Sequence, residues 1–199
     1  MREHIAETAR QLFVERGFES VTVSEIARVA DVSEKTVFNY FPTKEDLVYW
    51  RLESFEDELL SSIRERAPGE SAIDAFGRFV LTQRGMLAEQ DRDTAKRLAA
   101  ITRMIVESPA LLAREREIFD RYTLSLAALL AEETGAASDD VEPRVVADAL
   151  MGVHRALVDY TRRRVVAGAH GPALRREVRA QGKRALAALE GGLGGYAVK

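Results

Sequence analysis

"TVSEIARVADVSEKTVFNYFPTKEDL", residues 22–47, holds two short helical patterns separated by a turn, and the second is polar where a buried helix would be apolar. Thr22 stands at an N-cap position with Glu25 three residues on, the pair that closes a capping box, and Ile26, Ala27 and Ala30 then share an inward face. After "ADV", Ser33 is the next N-cap and predicts a helix over 34–40. Its apolar anchors, Val37 and Phe41, are four residues apart and can fix only one side of it. Ser33, Lys35, Thr36, Asn39 and Tyr40 ring the rest. Pro42 separates this helix from the next, which Thr43 caps and which carries Glu45 and Asp46 in its first turn, opposing the macrodipole.

Outward from this stretch the helical pattern continues in both directions. Upstream, Ile5, Ala9, Leu12, Phe13 and Arg16 recur at helical spacing until Gly17, a C-terminal cap. Downstream, Val48, Leu52, Phe55, Leu59 and Ile63 form the stripe of a single long helix from Thr43 to Arg66, closed by "PG" at 68–69. Further helices are expected at 71–90, 92–107, 109–134, 141–167 and 172–190, with Ser108 before Pro109 marking one start as N-cap and N1 proline. All five prolines fall between apolar-periodic segments, alternating strand patterns are missing, and "GGLGG" near the end reads as a frayed tail. The fold class is all-α, divided into a helix-turn-helix three-helix unit over 1–47 and a helical regulatory and dimerisation domain over 48–199.

The bulk numbers bound the function. With 199 residues, 46% hydrophobic and 31% charged, the chain has ordinary globular composition. No apolar run spans a bilayer and the N-terminus has no apolar signal core, so the expectation is a cytoplasmic protein without a membrane partner. Zero cysteines exclude disulfides and thiol nucleophiles. His4, His154 and His170 have no metal-ligand spacing, and no G-x-S-x-G, H-E-x-x-H or phosphate-cradling loop occurs, so neither enzyme, metal nor cofactor is expected. Net charge is −3, and the first fifty residues carry six basic side chains (2, 10, 16, 28, 35, 44) against nine acidic ones. Attraction to nucleic acid must therefore come from placement rather than overall charge.

Placement supplies it. Two short helices joined by a tight turn, the second polar on its outer face, form the helix-turn-helix pattern, in which the second helix enters the major groove, about 12 Å wide. Lys35 can donate to guanine or phosphate, Asn39 can pair at two points with adenine, and Thr36 offers a methyl and a hydroxyl. Tyr40 and Lys44 suit phosphate oxygens, and Thr22, Ser24 and Ser33 are further backbone contacts at helix starts.

The quoted stretch resembles the DNA-binding segment of the tetracycline-repressor (TetR) family, whose run is T-x-x-x-I-A-x-x-A-G-V-S-x-x-T-x-Y-x-Y-F-x-x-K-E-x-L, and "ETARQLFVERGFESVTV" before it matches that family's first helix and turn. The likeness covers about the first fifty residues; the remainder is similar only in size and helical layout. Asp31 stands where the family usually has Gly, a residue that tolerates the left-handed turn conformation. Phe38 stands where it often has a Tyr that contacts phosphate; Phe38 is expected to lean on packing instead. The resemblance implies a regulator of transcription, by family default a repressor, binding a palindromic operator as a homodimer.

Two-fold readers place their units about 34 Å apart and need a second, larger surface. The last two helices, "VVADALMGVHRALVDYTRRRVVAG" and "ALRREVRAQGKRALAALEGG", could form a four-helix bundle with a twin through Leu150, Val153, Leu157, Val178 and Leu186, or could instead be intramolecular core. The run "RRR" at 162–164 reads as a solvated face. The central helices are expected to enclose a small-molecule effector among Phe79, Met104, Phe119, Tyr122 and Met151, with Arg103 and His154 as polar contacts, although such stripes are commonly plain core. Displacement of the helix from Thr43 to Arg66 would couple pocket to DNA. The rival reading is a helical small-molecule binding protein that does not bind DNA.

Overall fold

A computed structural model describes residues 1–82 and 92–193, with the side chains of 53, 92, 192 and 193 excepted. The described residues form ten α-helices and no strands: α1 (Arg2–Arg16), α2 (Val23–Val29), α3 (Glu34–Tyr40), α4 (Asp46–Tyr49), α5 (Leu52–Arg64), α6 (Ala72–Leu81), α7 (Arg92–Glu107), α8 (Pro109–Thr134), α9 (Glu142–Val166) and α10 (Gly171–Leu193).

Local chemistry accounts for most boundaries. The Thr22 hydroxyl accepts from Glu25 N at 3.2 Å and the Glu25 carboxylate accepts from Thr22 N, the capping box that starts α2. Ser33, Ser71 and Ser108 cap α3, α6 and α8 through the backbone N–H three residues on. Asp31 takes φ 54°, so an Asp fills the left-handed turn between α2 and α3.

The single helix expected from Thr43 to Arg66 is instead two, α4 and α5. Thr43 still makes a reciprocal box with Asp46, its hydroxyl accepting from Asp46 N at 3.3 Å and its N–H donating to Asp46 Oδ2 at 3.0 Å, but the helix itself starts at Asp46. At the break side chains take over carbonyls: the Ser54 hydroxyl donates to Arg51 O and the Tyr122 hydroxyl to Leu52 O. The expected helix over 71–90 ends at Leu81, and its residues 83–90 lie outside the described set. The last helix runs through the first part of "GGLGG" to Leu193; residues 194–199 lie outside the described set.

One hydrophobic core runs from Ile5, Phe13, Val37 and Phe41 in the N-terminal unit through Leu47, Leu59 and Phe76 to Leu126, Leu150 and Met151. Helices α8 and α9 pack along each other, and α10 lies across α9 and α6. The crossing is close because Gly182 of α10 and Gly77 of α6 have no side chains there: a Cβ on Gly182 would fall 2.4 Å from Leu81 Cδ2, and one on Gly77 2.9 Å from Leu186 Cδ1.

Candidate nucleic-acid interface and ligand cavity

Helix α3 is held from beneath and open above. Val37 and Phe41 are each 1% exposed, inserted among Ile5, Phe13 and Ile26, and the Arg2 guanidinium lies 5.3 Å from the Phe41 ring centroid. Lys35, Asn39 and Tyr40 are exposed on the other side, and Thr36 is half-buried beside them. Thr22, Ser24 and Ser33 are exposed at the helix starts. Two of these hydroxyls already have work: Thr22 caps α2, and Ser33 Oγ caps α3 while lying 2.8 Å from Thr36 Oγ1.

Two residues depart from expectation. Phe38 is 46% exposed and does not lean on the core, because a helix turns about 100° per residue and Phe38 follows the anchor Val37 directly. It therefore adds an apolar ring beside Lys35 and Asn39. Lys44 is half-buried, its ammonium 4.1 Å from the Phe18 ring centroid and 5.9 Å from that of Phe13. Burial holds the Lys44 ammonium below its ordinary range, against the opposing charges of Glu19 and Glu45.

Contacts from α8 and the residue before it hold the N-terminal unit at three points. Ser108 Oγ donates to Glu19 Oε1 at 2.8 Å, the Tyr49 hydroxyl donates to Leu111 O at 3.0 Å, and Arg114 Nε donates to Asp46 Oδ1 at 2.8 Å. Asp46 is thus shared between Arg114 and the Thr43 box that follows α3. On the opposite edge His4 Nε2 lies 3.2 Å from Ala30 O, tying α1 to the end of α2.

Beneath these contacts lies a cavity of about 300 Å³, walled by α1, α4, α5, α7, α8 and α9. Phe55, Ile101, Ile105, Phe119 and Val158 make it apolar, and Arg10, Arg51, Glu115 and Arg162 are its charged members. Arg162 and Glu115 are 13% and 10% exposed and form a two-point ion pair, with Nη1 donating to Oε2 at 2.6 Å and Nη2 to Oε1. Burial opposes the Arg162 charge, but the hydrogen bonds and charge of Glu115 overcome it and hold the guanidinium above its ordinary range. Burial also pushes the Tyr49 phenol up, with the Glu115 charge adding to it and Arg162 opposing. Burial moves the His154 imidazole the other way, to about 4, and the Arg155 guanidinium adds to this, so the ring is neutral at pH 7. What exposure His154 retains is toward the cavity it lines, where its ring stands 4.8 Å from Phe55 and 5.3 Å from Phe119.

Of the side chains expected around an effector, Phe119 and His154 line this cavity. Phe79 and Tyr122 are buried one layer behind it, with ring centroids 5.1 Å and 5.6 Å from that of Phe55, and Met151 is wholly buried in the core. Arg103 and Met104 face a different groove, shared with Phe13, Phe18 and Glu19 at the end of α1. Sequence reasoning missed Arg10, Trp50, Arg51, Glu115 and Arg162. Arg162 belongs to the run read as a solvated face; its packing against Glu115, 47 residues earlier, has no local signal. Among the expected partner-facing residues, Leu150 is 0% exposed and Val153 and Leu157 each 8%, all packed within the chain itself, while Val178 and Leu186 are half-buried. Nor do the described residues bring together a His, Cys, Asp or Glu group able to hold a metal ion, and no described helix is long and apolar enough to cross a membrane.

An open polar helix on a buried two-point anchor, joined through shared packing to a helical body, defines a DNA-binding helix-turn-helix regulator of transcription. Residues 5–49 match the family described as "Bacterial regulatory proteins, tetR family", and residues 70–164 match the "MftR C-terminal domain". The chain belongs to the TetR family of transcriptional regulators. It is 27% identical over 158 residues to MftR of Mycobacterium tuberculosis, a protein named for regulation of mycofactocin biosynthesis, covering 75% of this chain and 74% of that one. It is 25% identical over 158 residues to the HTH-type transcriptional regulator TcmR of Streptomyces glaucescens, covering 77% and 70%. Among solved structures, the fatty acid degradation regulator FadR of Bacillus halodurans superposes with a TM-score of 0.56 at 23% identity, over 93% of this chain and 94% of that one. FadR of Bacillus subtilis in complex with stearoyl-CoA superposes with a TM-score of 0.54 at 21% identity, over 95% and 97%. These two likenesses establish the shared fold.

Proposed function

We propose that the protein is a ligand-responsive repressor that binds a palindromic operator as a homodimer and leaves it when a small apolar effector fills the cavity of Phe55, Phe119 and His154. One observation carries the reading: the wall of that cavity includes Arg10 of α1 and Val48 and Tyr49 of α4, and α1 packs on both α4 and α2, the helix against which α3 lies. Lys35, Thr36 and Asn39 read base edges, Phe38 covers a neighbouring apolar group, and Tyr40, Thr22, Ser24 and Ser33 hold phosphates. Lys44 acts at the edge of this surface, its ammonium braced on Phe18. The effector enters the cavity rather than the groove of Arg103 and Met104.

For the twin subunit, the available surface is the outer side of α9 and α10, not Leu150, Val153 and Leu157. Val141 and Val145 are 71% and 59% exposed, and Gly152 and Ala156 follow at helical spacing on the same side. Asp159, Arg163 and Asp148, the last ion-paired to Arg144, accompany them on α9, and Arg176, Arg179 and Lys183 are exposed on α10, which leaves Asp159 as the acidic group on α9 for a basic partner.

Fluorescence anisotropy of the intact protein on DNA from the region upstream of its own coding sequence tests the reading. Asn39→Ala is expected to lose about 1–3 kcal/mol of binding at particular base positions, and Lys35→Ala to weaken binding with a smaller salt slope. Light scattering is expected to give the mass of a dimer. A monomer that ignores every upstream sequence would defeat the proposal.

A further inference from the structure

The cavity carries more charge than an apolar ligand needs. Its lining holds three guanidinium groups, Arg10, Arg51 and Arg162, and one carboxylate, Glu115, which Arg162 already engages. The Arg51 guanidinium lies 5.0 Å from the Trp50 ring centroid and is solvent-exposed; Arg10 contacts Glu7 on its own helix. A guanidinium has five N–H donors, and the two hydrogen bonds to Glu115 engage only Nη1 and Nη2. With Arg162 held by Glu115 and Arg10 by Glu7, the positive charge available to a ligand is that of Arg51 at the rim and whatever Arg162 offers once Glu115 leaves, and the apolar walls strengthen any charge interaction inside.

Glu115 also stands at a mechanical junction. It lies one turn after Leu111, beside Arg114 and one turn before Phe119. The segment from Ser108 to Phe119 spans about 16 Å of helix at the usual rise, and carries all three grips on the N-terminal unit at one end and the cavity wall at the other. Resting on the reading of this cavity as the effector site, we infer that the effector is an apolar molecule ending in an anionic group, and that this group displaces Glu115 from Arg162. The exchange is balanced in charge: the ligand anion takes the guanidinium, and the freed carboxylate must leave its buried position for water, because a buried unpaired charge is strongly unfavourable. Its departure moves the first turns of α8, and with them Ser108, Leu111 and Arg114. A neutral apolar ligand of the same shape fills the cavity without breaking the pair and leaves the grips in place.

Two fluorescent probes of nearly equal shape separate these cases: anilinonaphthalene sulfonate, an apolar anion, and phenylnaphthylamine, the same ring system without the sulfonate. The intact protein is expected to bind the sulfonate about tenfold or more tighter than the neutral amine, the worth of a charge-assisted hydrogen bond. Glu115→Gln, near-isosteric and still able to accept from Arg162, is expected to tighten the sulfonate several-fold, leave the amine unchanged, and weaken operator binding in the absence of any probe. Arg162→Gln is expected to abolish the preference for the sulfonate, and a thermal melt of each variant checks that it is folded. Phe119→Trp, which narrows the cavity, is expected to weaken both probes alike. Equal affinity for the two probes, both weakened by Phe119→Trp, would overturn the anion exchange and leave the cavity reading standing. Probe binding that ignores Phe119→Trp would overturn the cavity reading and the exchange with it. A ratio of affinities that Glu115→Gln does not change would also overturn the exchange.

Discussion

Helices α3 and α9 both place polar side chains beside apolar ones, yet the two use them in opposite ways. On α3 the apolar residues form a narrow seam, Val37 with Phe41 just beyond, and Lys35 and Asn39 stand exposed. On α9 the buried residues, from Val146 through Leu150 and Met151 to Leu157 and Val165, cover more than one side, and Arg162 and His154 lie among neighbours rather than in water. A helix touched on one side leaves its polar groups for an outside partner. One packed against several elements at once must satisfy its polar groups within the chain.

The contrast can be broken by substitution. The largest loss is expected from Arg162→Met, which leaves Glu115 buried without its partner and should remove about 3–5 kcal/mol in urea unfolding. Somewhat less, on the order of 3 kcal/mol, should be lost on acidification through His154. Its folded-state value, about 4, lies below the unfolded one near 6.5, so between these limits the unfolded chain binds the proton and the folded chain does not. Stability is then full above about pH 6.5 and falls as pH drops toward 4; His154→Leu should flatten that part of the melting-temperature profile. Gly182→Ala should cost about 1–3 kcal/mol, since its methyl would meet Leu81 and Leu157 side chains where α10 crosses, and calorimetry would register it. The smallest change in stability, within about 0.5 kcal/mol, is expected for Asn39→Ala and Phe38→Ala on α3. Operator affinity should nevertheless fall for both, measured by anisotropy on the same samples; a large drop in melting temperature instead would mean that α3 is packed as α9 is.

The same contrast explains what could be read from residues alone. The starts of α2, α3 and α8 were legible because Thr22, Ser33 and Ser108 act within three residues of themselves. The outer face of α3 was legible because a helix of seven residues with two anchors has only one way to sit. The break at Trp50 and Arg51 was not: it involves a hydroxyl from Tyr122, 70 residues away from the carbonyl it meets. Three of the seven residues expected around an effector, Phe79, Tyr122 and Met151, fell into core for a related reason. Aromatic periodicity places Phe79, Phe119 and Tyr122 inward alike, but which of them meets empty space depends on how α5 and α9 cross them. Phe38 shows the converse, an aromatic assigned to packing that the geometry of α3 turns outward.

The unbroken apolar interior from Ile5 to Met151 bears on how such proteins can be recombined. An exchange of the first 49 residues between two relatives would transplant a reading head without its socket, because Ser108, Leu111 and Arg114 are tailored to Glu19, Tyr49 and Asp46. A hybrid that retains switching should therefore carry the opening turns of α8 along with the head, even though some sixty residues of chain separate them.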